Sequence, residues 1–225
     1  VTMNEKERKL YVAYLQKARE ALGADIGKIS FLAALGKLRE ICVDASSFFE
    51  GFDDESSKLS LALNLIQESI ENGHKVLVFS FFSSVLPKIK NKLKNEYNIT
   101  SKIIDGSTKS NDRVSLANDF NSPNGVKVML VSLKAGGTGL NLIGADTVVH
   151  LDPWWNFAAE EQATDRAYRI GQTKPVTVYK LVCHDSVEER VIDLQNAKKE
   201  LYDSVIKDGD NVSSMSEKDY KFILS

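Results

Sequence analysis

Two arginines and a cluster of glycines carry most of the chemistry legible in this chain. Val131 to Leu142 read VSLKAGGTGLNL, and Glu161 to Gln172 read EQATDRAYRIGQ. Gly136, Gly137 and Gly139 permit backbone conformations and close approaches that a side chain would obstruct. Thr138 adds a hydroxyl and Lys134 a cation, and successive N–H donors could form an anion-binding nest. A tight strand-to-helix turn with no ligand accounts for the same glycines equally well. Gln162, Arg166 and Arg169 are spaced by four and three residues, so a continuous helix presents all three on one face. Two planar, permanently charged guanidinium groups suit a polyphosphate; a solvated face ion-paired to Glu161 or Asp165 is the other reading. No GxxxxGK[ST] phosphate loop occurs in the chain. The lysine and hydroxyl that would hold phosphate and magnesium are therefore missing, and these motifs read as one side of an active site.

Other reactive side chains read as structure. Asp152 to Asn156, DPWWN, forms a turn and helix start, with Asn156 as a cap. Trp154 and Trp155 read as packing residues rather than base-stacking platforms, because no basic aromatic series surrounds them. His150 ends an apolar strand and reads as a packed histidine, and His74 and His184 have no metal-ligand constellation around them. Glu161, Asp152 and Asp165 make no convincing carboxylate pair. Cys42 and Cys183 share no CxxC spacing, which points to a reducing compartment and to neither a disulfide framework nor a zinc site.

The elements that must position these groups follow from periodicity. Residues from about Asn4 to Cys42 read as a helical pair, with Leu10, Tyr14 and Leu15 on one face and Leu32, Leu35, Leu38 and Ile41 recurring after a break at Gly23 to Lys28. Helices are expected over Leu59 to Glu71, Leu86 to Leu93 and Arg113 to Phe120. Strands are expected over Lys75 to Ser80, Ser101 to Ile104, Lys127 to Ser132, Thr147 to Leu151 and Val176 to Leu181. Near-continuous apolar strands alternating with amphipathic helices imply an α/β fold with a parallel sheet covered on both faces. Ligands of such sheets meet the carboxyl ends of the strands. A helix from Val187 to about Val205 and a polar linker, Lys207 to Lys218, follow; the tail from Tyr220 to Leu224 either docks or stays mobile. The divisions are 1–52 as a helical flank, 53–185 as the main lobe, 186–206 as a packing helix and 207–225 as linker and tail.

Composition narrows the function classes. Of 225 residues, 43% are hydrophobic and 27% charged, and the formal net charge is −2, which argues against a strongly basic, nonspecific nucleic-acid binder. No apolar stretch is long enough to span a membrane, and no signal-peptide pattern appears. A start at Val1 and Thr2 fits a cut through a longer protein.

In order along the chain, Leu38 to Cys42 (LREIC), Lys75 to Phe82 (KVLVFSFF), Asp105 to Thr108 (DGST), the glycine loop, Val148 to Asn156 (VVHLDPWWN) and Asp165 to Gln172 (DRAYRIGQ) resemble the second RecA-like lobe of Swi/Snf-type ATP-dependent DNA translocases of helicase superfamily two. The resemblance covers most of the chain. It implies a RecA-like, largely parallel sheet covered by helices, with N-terminal and C-terminal helical additions. It further implies that Arg169, supported by Arg166, stabilises the charge of phosphoryl transfer on ATP held by an absent first lobe, which also holds Mg2+. Gln162, Gly137 and Gly139 would shape that interface. Ser107 and Thr108, with Lys134 and Thr138, would contact the backbone of double-stranded DNA. The isolated lobe is expected to be inactive. A noncatalytic lobe that binds nucleic acid or protein is the alternative. Phe81 stands where the family commonly has glutamine, and Val43, Asp44 and Ala45 replace its usual basic and histidine-containing continuation. The compact flanks, without a histone-reading module, favour a prokaryotic, cytoplasmic member over a nuclear remodeller.

Overall fold

The computed structural model describes residues 1–23, 28–133, 140–154, 157–168, 174–204 and 217–224. Lys134, Gly136, Gly137, Thr138, Gly139, Trp155, Arg169 and the cap position Asn156 lie outside the described residues, as do residues 24–27 of the expected helix break and 207–216 of the expected linker, whose last two residues, Glu217 and Lys218, are helical. The chain forms two compact units: Lys58–Asp152 with Ala158–Leu181, and Val1–Ser57 with Pro153–Phe157 and Val182–Ser225. No described helix is long and apolar enough to cross a membrane.

The first of these units holds a five-stranded, all-parallel sheet. Its strands β1 (Val76–Ser80), β2 (Ser101–Ile104), β3 (Val128–Ser132), β4 (Thr147–His150) and β5 (Thr177–Lys180) lie in the order β2-β3-β1-β4-β5. Val76 to Phe79 are all fully buried. Successive side chains point to opposite faces, so central strand β1 is covered on both. On one face Leu77, Phe79, Met129, Val131 and Val148 pack with Ala117 and Phe120 of α5 (Ser110–Asn121) and Ala163 of α6 (Phe157–Thr164). In α3 (Ser57–Glu71), Leu59, Ala62, Leu63 and Ile66 recur at helical spacing and are buried, and Gly73, at φ +82, turns the chain into β1. The next helix, α4 (Leu86–Tyr97), stops at Asn98, whose left-handed backbone sends its N–H to the Leu93 carbonyl.

Strand β5 departs from the expectation of a sheet covered throughout. Thr177 to Lys180 are all exposed, and β5 is an edge strand whose one neighbour among the described residues is β4. Its Val178 and Tyr179 leave apolar surface in solvent.

The other unit is helical: α1 (Glu5–Gly23), α2 (Lys28–Asp44), α7 (Val187–Ser204) and α8 (Glu217–Leu224). Tyr11, Ala18, Leu35, Leu38 and Ile41 share one buried cluster with Val187, Val191, Ile223 and Leu224. The C-terminal tail docks: Arg19 Nε donates to the Leu224 carbonyl at 2.8 Å. Leu32 falls off the expected apolar face and is exposed. Each three-residue step turns a helix 300° rather than 360°, so a series at that spacing drifts by about 60° per step and Leu32 cannot share a face with Ile41.

Candidate functional site

The segments singled out by chemistry follow the strands. Phe81 follows β1, Asp105 to Thr108 follow β2, the glycine loop follows β3 and Asp152 follows β4. Because the strands are parallel, all four leave the same edge of the sheet.

At that edge Asp152 is fully buried and joins two strands. Its carboxylate accepts Ser80 Oγ at 2.6 Å and the Phe81 backbone N–H at 3.1 Å. The Phe81 ring packs edge-to-face on Phe82. Sequence reading did not assign Asp152 this role; its place directly after an apolar strand was the available signal. In the helical unit, Asp44 accepts Ser46 Oγ at 2.9 Å and Ser47 Oγ, closing the short turn Ala45–Ser47 after α2.

Helix α6 ends at Thr164, so Arg166 sits in the turn beyond it rather than on a continuous helical face with Gln162. The expectation of one shared face fails for this pair: Gln162 is exposed on α6, whereas Arg166 is buried, at 2% exposure. Tertiary contacts override the helical spacing here. The Arg166 guanidinium donates to the Leu140 carbonyl at 3.3 Å, and its own carbonyl accepts the Leu142 N–H at 3.0 Å. The arginine turn is therefore tied, through side chain and main chain, to the residues that leave the glycine loop. His150 fixes α6 from beneath. Its Nε2 lies 2.8 Å from Thr164 Oγ1 and its ring stacks on Phe79 at 5.3 Å. Burial pushes its pKa down to about 4, against a smaller upward pull from Glu160. A neutral, packed imidazole is the result, as its strand-end position implied. Glu160 in turn pairs with Lys180 at 2.5 Å.

The DGST turn closes on itself. The Asp105 carboxylate accepts the Ser107 N–H at 2.9 Å, Ser107 Oγ at 2.6 Å and Thr108 Oγ1 at 3.2 Å. These bonds, that of the Ser107 hydroxyl first, hold the Asp105 pKa below its ordinary value. Arg113, which sequence reading passed over except as a helix start, reaches back from α5 to the carbonyls of Thr108 at 2.7 Å and Asp105 at 2.9 Å. A cavity of about 280 Å³ is lined by Thr108, Ser110, Arg113, Val114 and Leu140. Leu140 thus borders the DGST turn on one side and accepts Arg166 on the other.

A larger cavity, about 410 Å³, opens at the opposite edge of the sheet, beside the first residues of β4 and β5. There Asp146 accepts the Lys75 N–H at 3.0 Å and pairs with Lys174 at 3.0 Å and His74 at 3.2 Å. Of the sequence motifs, KVLVFSFF meets Asp146 at its first residue, Lys75. In the helical unit, folding brings together two cysteines that are remote in sequence: the side-chain donor atoms of Cys42, Cys183 and Glu188 lie within 4.8 Å of one another. The Cys183 thiol is directed at the Cys42 carbonyl at 3.4 Å, and Glu188 accepts the Cys183 N–H at 2.8 Å, which accounts for the cluster as packed polar structure.

Residues 57–171 match the family described as helicase conserved C-terminal domain. The chain belongs to that family. This helicase C-terminal domain is 40% identical over 203 residues to an uncharacterized ATP-dependent helicase of Mycoplasma genitalium, covering 89% of this chain and 20% of the relative. It is 36% identical over 184 residues to the protein chromatin remodeling 24 of Arabidopsis thaliana, covering 81% and 17%. The chain thus spans about a fifth of the length of these relatives. Among solved structures it is similar to the Sulfolobus solfataricus SWI2/SNF2 ATPase C-terminal domain, at 25% identity and TM-score 0.76, covering 99% of this chain and 94% of that one. It is also similar to the SWI2/SNF2 ATPase core of the same organism in complex with dsDNA, at 28% identity and TM-score 0.77, covering 99% and 48%. The helicase C-terminal domain is accordingly a RecA-like lobe of SWI2/SNF2 type.

Proposed function

We propose that this lobe is the second half of an ATP-driven motor on double-stranded DNA, and that its arginine turn completes a phosphoryl-transfer site whose phosphate loop and Mg2+ ligands belong to a first lobe of the same protein. The observation that carries this reading is the tie between Arg166 and Leu140, which joins the arginine turn to the end of the glycine loop at the carboxyl edge of the sheet. A guanidinium buried at that edge is a fixed positive charge with directional donors, suited to phosphate oxygens. Arg169, three residues on, would stabilise the charge that develops on the transferring phosphoryl group, and Arg166 would support phosphate contact and closure. Gln162, exposed on α6, would organise the same interface with Gly137 and Gly139. The DGST turn, with Lys134 and Thr138, would track the DNA backbone, which lets a motor move over varied sequence. The chain is read as four parts, 1–52, 53–185, 186–206 and 207–225, with catalysis confined to the second.

Half an active site should not turn over. The purified lobe is expected to unfold cooperatively and to release no phosphate above a mock preparation, with or without duplex DNA, while the full-length protein hydrolyses ATP faster when duplex is added. Sustained hydrolysis by the verified isolated lobe would contradict the two-lobe site. A full-length protein that binds DNA or a protein partner without hydrolysis would place the chain among noncatalytic lobes.

A further inference from the structure

The DGST turn has a brace that its four residues do not contain. Arg113 stands in α5, five residues beyond Thr108, and donates through Nε to the Thr108 carbonyl at 2.7 Å and through a terminal nitrogen to the Asp105 carbonyl at 2.9 Å. These two carbonyls are the first and last of the turn. Within the turn Asp105 collects the donors of Ser107 and Thr108, and Thr108 Oγ1 accepts the Asp105 N–H at 3.0 Å. The carboxylate therefore organises the donors and the guanidinium organises the acceptors. The Asp105 carbonyl also accepts the Thr108 N–H at 3.2 Å, so Arg113 adds a side-chain brace to a turn already closed by main chain. A guanidinium does so with donors set in a rigid planar fork, whereas an ammonium carries its donors on one atom at the end of a flexible stem and fixes no such spacing.

We propose that Arg113 is a positioning residue for DNA-backbone recognition, which fixes the spread of the DGST turn and so the aim of Ser107 and Thr108 without itself neutralising a phosphate. The proposal rests on the motor-lobe reading given above. Its consequence is specific: loss of the fork weakens duplex binding even when the positive charge is kept, and leaves the number of released counterions unchanged. A residue in direct phosphate contact behaves in the opposite way, since removing it lowers the salt slope by about one.

The test uses the full-length protein with Arg113→Lys and Arg113→Ala, titrated with one duplex at several salt concentrations. At fixed salt both variants are expected to need roughly tenfold more duplex for half-saturation, with lysine rescuing little, while the slope of log affinity against log salt stays at the wild-type value. Wild-type affinity in folded Arg113→Lys, or a slope reduced by about one in Arg113→Ala, overturns the positioning role. If the alanine variant fails to fold, the lysine variant decides alone on affinity. If the wild-type protein itself shows no salt-sensitive duplex binding, the motor-lobe reading is what fails.

Discussion

The arginine turn follows α6 and the DGST turn follows β2, and the two hold their polar groups in opposite ways. At the first, a charged side chain is buried and locked onto a carbonyl of a neighbouring segment. At the second, Ser107 is exposed and its donors are turned inward onto the turn's own carboxylate. A buried charge is costly to move, so Arg166 is held in place, which is the preorganisation that the proposed phosphoryl-transfer role asks for. Exposed donors on a local carboxylate can be exchanged for phosphate oxygens at small cost, as suits a surface that must grip and release. The contrast predicts that damage to the first region is felt in the fold and in turnover, and damage to the second in DNA affinity.

The largest effect is expected at Arg166. Arg166→Ala empties a buried volume and leaves the Leu140 carbonyl without that donor, a loss of about 2–4 kcal/mol in the isolated lobe. Turnover by the full-length protein should fall by roughly a hundredfold or more. Denaturant unfolding and phosphate release check the two halves. Stability equal to wild type would erase the distinction between the regions.

A comparable effect belongs to His150, which holds the end of α6. Its folded pKa of about 4 lies below the ordinary 6.5, so its contribution is fully present above pH 6.5 and is lost as pH falls from 6.5 through about 4. The difference corresponds to about 3 kcal/mol. Glu160, which pulls the pKa up, and Lys180, which pushes it down, face the same ring from α6 and β5. Unfolding free energy should therefore decline across that window, and His150→Phe should flatten the decline. Asp105, depressed from 3.8, contributes only above about that pH and loses its share in more acid solution, so the DGST region should be insensitive over the His150 window.

The smallest structural effect is expected at Ser107. Ser107→Ala removes an exposed hydroxyl and should change lobe stability by no more than about 0.5 kcal/mol. Duplex affinity of the full-length protein should nonetheless fall about threefold to tenfold, without sequence preference. A clear loss of stability with unchanged DNA binding would mean that the turn is a structural element only.

Much of this frame was legible because it is written in periodicity. The strand at Ser101 to Ile104 is found where it was expected, and α3 buries Leu59 and Leu63 at helical spacing, whereas in α2 Leu35 and Leu38 are buried and Leu32 is not. The missing details depend on contacts between distant residues. DRAYRIGQ has helical spacing, but the pull of Leu140 and Leu142 on Arg166 ends α6 at Thr164, and no local signal encodes that pull. The brace from Arg113 and the union of Cys42 with Cys183 are invisible for the same reason, since neither uses a recognisable spacing. The place of β5 at the sheet edge is decided by strand order and not by composition.

The proposed arginine contribution is tested most directly by Arg169→Lys in the full-length protein, measured as steady-state phosphate release at saturating ATP and duplex. Lysine keeps a positive charge and discards the fixed fork, so generic attraction tolerates the exchange and transition-state recognition does not. The predicted result is a fall in turnover of roughly tenfold to a thousandfold, about 1.4 to 4 kcal/mol, with folding and most of the DNA affinity retained. Wild-type turnover from a folded Arg169→Lys protein would contradict the claim that this lobe supplies the arginine to the phosphoryl-transfer site.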